Sequence, residues 1–552
     1  MSLNDWWRRF LSSPPKVTIS AFTETGQEES SIIVPLQRSY TGKRVISSRL
    51  ADTPCTTFSL QGFLDQLNTT FGTTYSLDNP SLSRFLKARI TSRYDFGLIY
   101  GLLRRIWYTD DWSTVRDKLC REEEEDRERR REALDGNRIV DTELRPRRVW
   151  DLYSNRVVPR WFMDLHSDDK LWLRPISHAW MDEKDRALVW TPINGYEWPV
   201  PIPKDANLNL IRIEMLNLGL EYAWLDVLCL RQVGGPGEDL RAEEWKVDVP
   251  TIGRVYQDVE VACYLSGLGR PLTLKEGDLE SDRSWFRRAW TLQEIGSKRV
   301  IAGDTPDGPL HAKWKYGTEL LIRFHKQLES VDTVSYSLFE ALEEMQKRVS
   351  TNPVDKIAGL AFLMGTNVIP AYYESESLEE AWTALVNEMD AQHRRVLLLC
   401  AEPGNAGKKW RPSWNQVMTK PLPAFFEYCP DVHWDEEEDK DWCDADCIEG
   451  LVLGLAVVKK GDRRGVLIAK DKGGIEHRFE ITATHTSPIP EDTYEMIHTC
   501  IFQSSGDHGW MVGRCLPGGK FEKVSMLIIS DEKYWRLWKL DLIKEKCRHI
   551  LI

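Results

Sequence analysis

What the chain lacks narrows its possibilities first. Nowhere in its 552 residues does an apolar run reach the roughly 20 residues that cross a bilayer as a helix. The N-terminus, M-S-L-N-D-W-W-R-R-F, has no apolar core of the kind a secretory signal requires. Positive charge is in deficit: the formal net charge is −12. Nucleic-acid phosphates and anionic lipids need a clustered basic surface, so neither nucleic acid nor a membrane span is expected. Regular cysteine spacing is also missing. The eleven cysteines are an odd number scattered along the chain, which reads as reduced thiols in a cytoplasmic protein. No Walker A sequence is present, no G-x-S-x-G, no G-x-G-x-x-G leading into a helix, and no internal repeat.

What is present suits folded protein, with 42% hydrophobic and 29% charged residues. Apolar segments at Val17–Ala21 and Ser31–Leu36 and helical spacing across Ser81–Arg105 mark an N-terminal region, 1–150, that is partly helical. It ends near the charge block Arg121–Glu132, where i,i+4 pairs suit a solvated helix. From there, strand candidates at Leu171–Ser177, Glu221–Leu230, Val259–Leu265 and Arg299–Ala302 alternate with helices at Asn207–Gly219, Arg241–Asp258 and Ser284–Gly296. That alternation predicts an α/β fold with a parallel sheet flanked by helices. Such sheets place ligands at the carboxyl ends of the strands. Residues 311–405 read as a helical extension with helices near Thr318–Leu328, Leu338–Arg348 and Ser377–Met389. Residues 406–552 read as β-rich, with strands expected at Leu451–Val458, Gly465–Ala469, His477–Thr484, Phe521–Ser530 and Tyr534–Leu542.

The candidate chemistry gathers in one constellation. Ser177, His178 and Trp180 follow the first strand, and Asp226 is the one carboxylate inside the apolar run that follows Glu221 to Leu230. Arg288, Trp290 and Glu294 lie in S-W-F-R-R-A-W-T-L-Q-E-I, 284–295. On a helix, Trp290 and Glu294 would stand one turn apart on one face. An aromatic plate beside a carboxylate is a binding wall for a flat, cationic or sugar-bearing ligand; it is equally the end of an amphipathic helix, with Glu294 paired to Arg287 or Arg288 and Trp290 in the core. Cys229 with His178 could form a thiol nucleophile and its base, but an apolar setting favours a buried thiol. Cys443-x-x-x-Cys447 with His433 is too loose a spacing for zinc, and reads as two thiols in an acidic loop. No metal site and no bound cofactor is therefore expected.

Three blocks go beyond pattern: R-P-I-S-H-A-W (174–180), Y-A-W-L-D-V-L-C-L-R-Q (222–232) and R-R-A-W-T-L-Q-E (287–294). In this order they closely resemble the signature blocks of the fungal heterokaryon-incompatibility (HET) domain. The resemblance extends to I-G-R-V-Y-Q-D-V-E-V-A (252–262), D-K-I-A-G-L (355–360) and R-P-S-W (411–414). It covers residues 165–310 best. Departures are Met181 where the family has Gly, Leu230-Arg231 where it has Ile-Asn, and the Gly234–Gly237 loop after Gln232.

The resemblance implies a TIR-like core and a role in non-self recognition and programmed cell death. Several TIR domains cleave NAD⁺ at the nicotinamide–ribose bond with the Glu of a W-x-x-x-E segment, which Trp290-Thr-Leu-Gln-Glu294 matches. On that basis NAD⁺ would be a substrate, Glu294 the catalytic carboxylate, Trp290 a stacking wall, and Ser177, His178, Trp180, Asp226 and Arg288 the pocket. The implied partners are further copies of the chain and an upstream sensor. A non-enzymatic module acting by self-association is the alternative.

Overall fold

The computed structural model describes residues 44–90, 94–109, 111–165, 173–257, 259–294, 298–304, 308–310, 318–332, 337–423, 429–458, 461–503 and 505–552. The segments Val17–Ala21 and Ser31–Leu36 lie outside the described residues, as does the end of the Ser284–Gly296 stretch after Glu294. Backbone proximity gathers the chain into two units. The first holds the described residues before 335 together with 348–362 and 367–374; the second holds 337–347, 363–366 and everything from 375 onward.

In the first unit β1 (Leu134–Asp135) and β2 (Arg138–Ile139) pair antiparallel, and β11 (Ile369–Pro370) joins β2. β3 (Arg148–Asp151) and β4 (Arg156–Pro159) form a hairpin. β5 (Leu173–His178) follows, then the hairpin β6 (Arg186–Val189) and β7 (Val200–Pro203). β8 (Tyr222–Trp224), β9 (Glu260–Tyr264) and β10 (Lys298–Ile301) complete the strands. The main sheet is six-stranded in the order β10-β9-β5-β8-β3-β4. β10, β9, β5 and β8 run parallel, while β3 is antiparallel to β8. The crossover after β7 is the helix Leu208–Asn217, whose N-terminus is capped by the Asn207 side chain. Arg241–Asp248 and Ile252–Tyr256 cross from β8 to β9.

The N-terminal helices do not stand apart from this sheet. Leu60–Phe71, Pro80–Ile90 and Phe96–Leu103 contribute Phe63, Leu67, Phe85 and Tyr100 to a core that also holds Val149 of β3, Val158 of β4 and Tyr222 of β8. The charge block is the end of a helix, Val115–Glu132. Its Arg127 pairs with Glu123 and Glu124 at the surface.

Two sequence expectations fail locally, for identifiable reasons. Glu221–Leu230 is not one strand: β8 ends at Trp224 and Asp226–Cys229 forms a helical turn. The Asp226 carboxylate accepts the Val227 N–H at 2.7 Å. The whole run is apolar because strand and turn are both buried, so burial alone could not tell them apart. Ser284–Gly296 is not one helix either. It forms two short 3₁₀ turns, Trp285–Arg287 and Trp290–Leu292. Arg288 between them is extended (φ −85°, ψ 137°) because the backbone pairs with Val349: its N–H donates to the Arg287 carbonyl at 2.6 Å, and its carbonyl accepts from Ala289 at 2.9 Å.

The second unit is dominated by antiparallel strands, in keeping with the expected β-rich region. β12 (His433–Asp435) leads into the 14-residue β13 (Lys440–Leu453). β14 (Arg463–Lys470), β15 (Glu476–Ala483), β16 (Asp492–Ile501), β17 (His508–Leu516), β18 (Lys520–Ile529) and β19 (Lys544–Leu551) follow. The order is β13-β14-β15-β18-β17-β16, and β16 pairs back onto β13, so the ring closes and leaves few open edges. Ile448, Phe479, Ile481, Met496, Trp510 and Leu527 fill its interior. Tyr534–Leu542, expected as a strand, is largely helix, Asp531–Lys539. Tyr534 and Leu537 enter the core on one face while Trp535 is exposed, the helical spacing that a short apolar-rich run disguises. Among the described residues no helix is long and apolar enough to cross a membrane.

Candidate functional site

The parallel strands bring the first two sequence blocks together at their carboxyl ends. β5 ends on Ser177 and His178, paired with Cys263 and Tyr264 of β9. Asp226 opens the turn just beyond the end of the neighbouring β8. The third block then supplies Glu294, which leads towards β10.

Two hydrogen-bonded pairs result. The Ser177 hydroxyl donates to Glu294 Oε2 and accepts the Trp285 indole N–H at 2.7 Å. Ser177 and Trp285 are buried, so this chain ties β5 to the third block from inside. His178 Nε2 lies 2.9 Å from Asp226 Oδ1. The His178 ring stacks on Trp180, with centroids 5.6 Å apart, and Arg186 lies over the Trp180 ring at 5.0 Å.

The electrostatics follow from that packing. Burial pushes the Glu294 carboxyl up to about 7; the Ser177 hydrogen bond works against the rise, and the nearby Asp226 charge adds to it. No ion pair to Arg287 or Arg288 is found for it among the described residues: Arg287 pairs with Asp282 at 3.2 Å, and Arg288 reaches Thr351 Oγ1 at 3.2 Å. For His178, burial alone would lower the imidazole, but Asp226 foremost, with Glu294 and the Ala179 carbonyl, outweighs it and leaves the group above its ordinary value. A carboxyl that titrates near neutrality beside a His–Asp pair can accept a proton or stabilise positive charge.

Of the residues singled out in the sequence, Ser177, His178, Asp226 and Glu294 come together, with Trp180 against His178. Trp290 and Arg288 point elsewhere. The Trp290 indole donates to Asp355, which also accepts the Tyr372 hydroxyl at 2.8 Å. Trp290 and Glu294 therefore do not share a helical face. Asp355 and Trp285 were not singled out. Asp355 heads D-K-I-A-G-L, and its signal was a lone carboxylate opening an apolar helix, Asp355–Ala361.

A cavity of about 490 Å³ opens beyond the ends of β5 and β9. Ala179, Met181, Ser266, Arg270 and Ser284 are among its lining residues; Glu294 is not. Met181 forms part of this wall, and its sulfur lies 3.7 Å from Arg270 Nη1.

The thiol candidates separate from the site. Cys229 is buried in the turn after β8 and burial pushes it up to about 12, so no thiolate forms near neutrality, and His178 pairs with Asp226 instead. Cys443 and Cys447 lie on β13 and not in a loop. His433 stacks on Trp442 with centroids 4.3 Å apart, on the opposite face of the strand from Cys443, so those three do not assemble. Neither a family model, nor a curated protein, nor a solved structure matches the chain.

Proposed function

We propose that the first unit is a HET-type module with a TIR-like sheet, acting in the cytoplasm in non-self recognition and programmed cell death by cleaving NAD⁺. One observation carries the reading: Glu294 stands at the carboxyl end of β5, bonded to Ser177, while Arg287 and Arg288 make their contacts with Asp282 and Thr351. In parallel α/β sheets that is where ligands bind.

The chemistry balances with water as co-reactant. The bond between ribose C1′ and the nicotinamide nitrogen breaks, and its electron pair leaves with nicotinamide, which departs neutral. The oxocarbenium-like sugar is stabilised by the Glu294 carboxylate. A water oxygen then bonds to C1′, its proton passes to Glu294 and on to solvent, and ADP-ribose remains. The His178–Asp226 pair would hold ribose hydroxyls or the attacking water. Trp290, tied to Asp355, fits a supporting role better than a stacking wall.

The burial of Ser177 and Trp285 favours a second reading, in which the same contacts only hold the fold and signalling follows from association of several copies with an upstream sensor. Purified protein at high concentration with NAD⁺, wild type beside Glu294→Gln, separates the two. Nicotinamide from the wild type alone supports cleavage. Equal release from both, or none from either while the protein self-associates, supports the second reading.

A further inference from the structure

In the second unit, side chains from three strands converge on the outside of the closed ring. Cys447 lies on β13, Glu495 on β16 and His549 on β19. One ligand-type atom from each lies within 4.8 Å of the other two. Alternation along the strands explains the convergence. Ile448 and Met496 fill the interior, so their neighbours Cys447 and Glu495 face outward. There β19 crosses them, paired antiparallel with β13 and in part parallel with β18. An irregularity in the β13–β19 register falls between Ala445 and Cys447.

Two further thiols flank the group. Cys547 lies two residues before His549 on the same strand and packs beside Cys447; Cys515 of β17 packs beside Glu495. Cys447 and His549 are 1% and 3% exposed. The Glu495 Oε2 and His549 Nδ1 atoms are buried and neither has a hydrogen-bond partner. A buried polar atom of this kind calls for an explanation: an ion on the Glu495 carboxylate satisfies Oε2, and His549 Nδ1 is the ring nitrogen left over when Nε2 ligates.

We propose that Cys447, Glu495 and His549 ligate one zinc-class divalent ion, with Cys547, beside Cys447, turning in as the fourth ligand and Cys515 at the rim. His549 Nε2 and Glu495 Oε1 are 3.4 Å apart. Two ligand atoms at about 2.0–2.1 Å from zinc in a tetrahedron stand about 3.4 Å from each other. Thiolates with an imidazole select zinc over magnesium or calcium, which prefer oxygen alone. Binding displaces the Cys447 and Cys547 protons to solvent. Four protein ligands leave no open position, so the ion is structural and pins β19 to the ring. The proposal is independent of the chemistry at Glu294.

The full chain, grown in zinc-replete medium and purified without chelator, tests it by elemental analysis. The expected result is about one zinc per chain, lost in Cys447→Ala and His549→Ala and kept in Cys120→Ala. Glu495→Gln, which preserves shape, should bind zinc more weakly if Cys447→Ala fails to fold. A strong chelator should lower the wild-type Tm, and restored zinc should recover it. Cobalt(II) exchange should give a thiolate charge-transfer band. Wild-type protein without zinc, full zinc in Cys447→Ala, or a Cys447–Cys547 disulfide in the protein as isolated each overturns the proposal.

Discussion

Ser177 and Glu294, 117 positions apart in the chain, are joined by a hydrogen bond from the serine hydroxyl to the glutamate carboxylate. The contact is buried on the serine side and continues to the Trp285 indole. It links the carboxyl end of a parallel strand to the one carboxylate of the third sequence block. It also favours the ionised form of Glu294 against a burial that disfavours it.

Removing that donor should therefore move Glu294 further from its ordinary value. Ser177→Ala should shift the Glu294 titration to higher pH, read by NMR of the labelled carboxyl. It leaves the Trp285 N–H without its acceptor, so unfolding free energy should fall by about 1–3 kcal/mol. An unchanged titration would mean that the hydrogen bond does not act on the charged form.

The pH dependence of stability has a definite sign at Glu294. Its folded value, about 7, lies above the ordinary carboxyl value, so the folded state prefers the protonated form. Stability from this group is present at low pH and is lost as pH rises from about 4.5 to 7. The loss reaches about 3 kcal/mol at most, at 1.36 kcal/mol per unit. Glu294→Gln should flatten that part of the curve in denaturant melts. A wild-type slope retained in the variant would contradict the assignment.

His178 behaves in the opposite sense with respect to its charge. Asp226 holds its folded value above the ordinary one, so the stability from this pair is full below about pH 6.5 and fades as pH rises through the folded value. Asp226→Asn removes the attraction while burial persists. The His178 titration should then drop below the ordinary value, as seen in histidine ring NMR signals. A titration that stays high would assign the effect to another group.

Trp290 offers a sharper distinction between support and catalysis. Its N–H is directed at Asp355. Trp290→Phe should cost about 1–2 kcal/mol through the lost hydrogen bond and lower Tm, with nicotinamide release per folded molecule little changed. A large loss of turnover in a fully folded Trp290→Phe protein would restore the stacking role.

The α/β character was legible because parallel strands, buried on both faces, leave apolar runs separated by helical spacing. Ser177 and His178 were legible for a related reason: they close a run that reads as a strand, and Asp226 stood out as a carboxylate within the next such run. Other features depend on contacts distant in the chain. The break at Arg288 is set by the backbone of Val349, which no local pattern records. Asp226 sits in a turn as apolar as the strand before it. Cys447 meets Glu495 and His549 only because the ring closes and β19 crosses it, so ligand spacing along the sequence carries no signal of that cluster.

The most direct measurement is the rate of nicotinamide release from NAD⁺ by the full chain as a function of pH, for wild type and for Glu294→Gln shown to be folded. The account predicts a wild-type rate that rises through about pH 7 as Glu294 ionises and then levels. It predicts a loss of about 10²–10⁴-fold in the variant. Equal rates in the two proteins, or a wild-type rate indifferent to pH across that range, would contradict it.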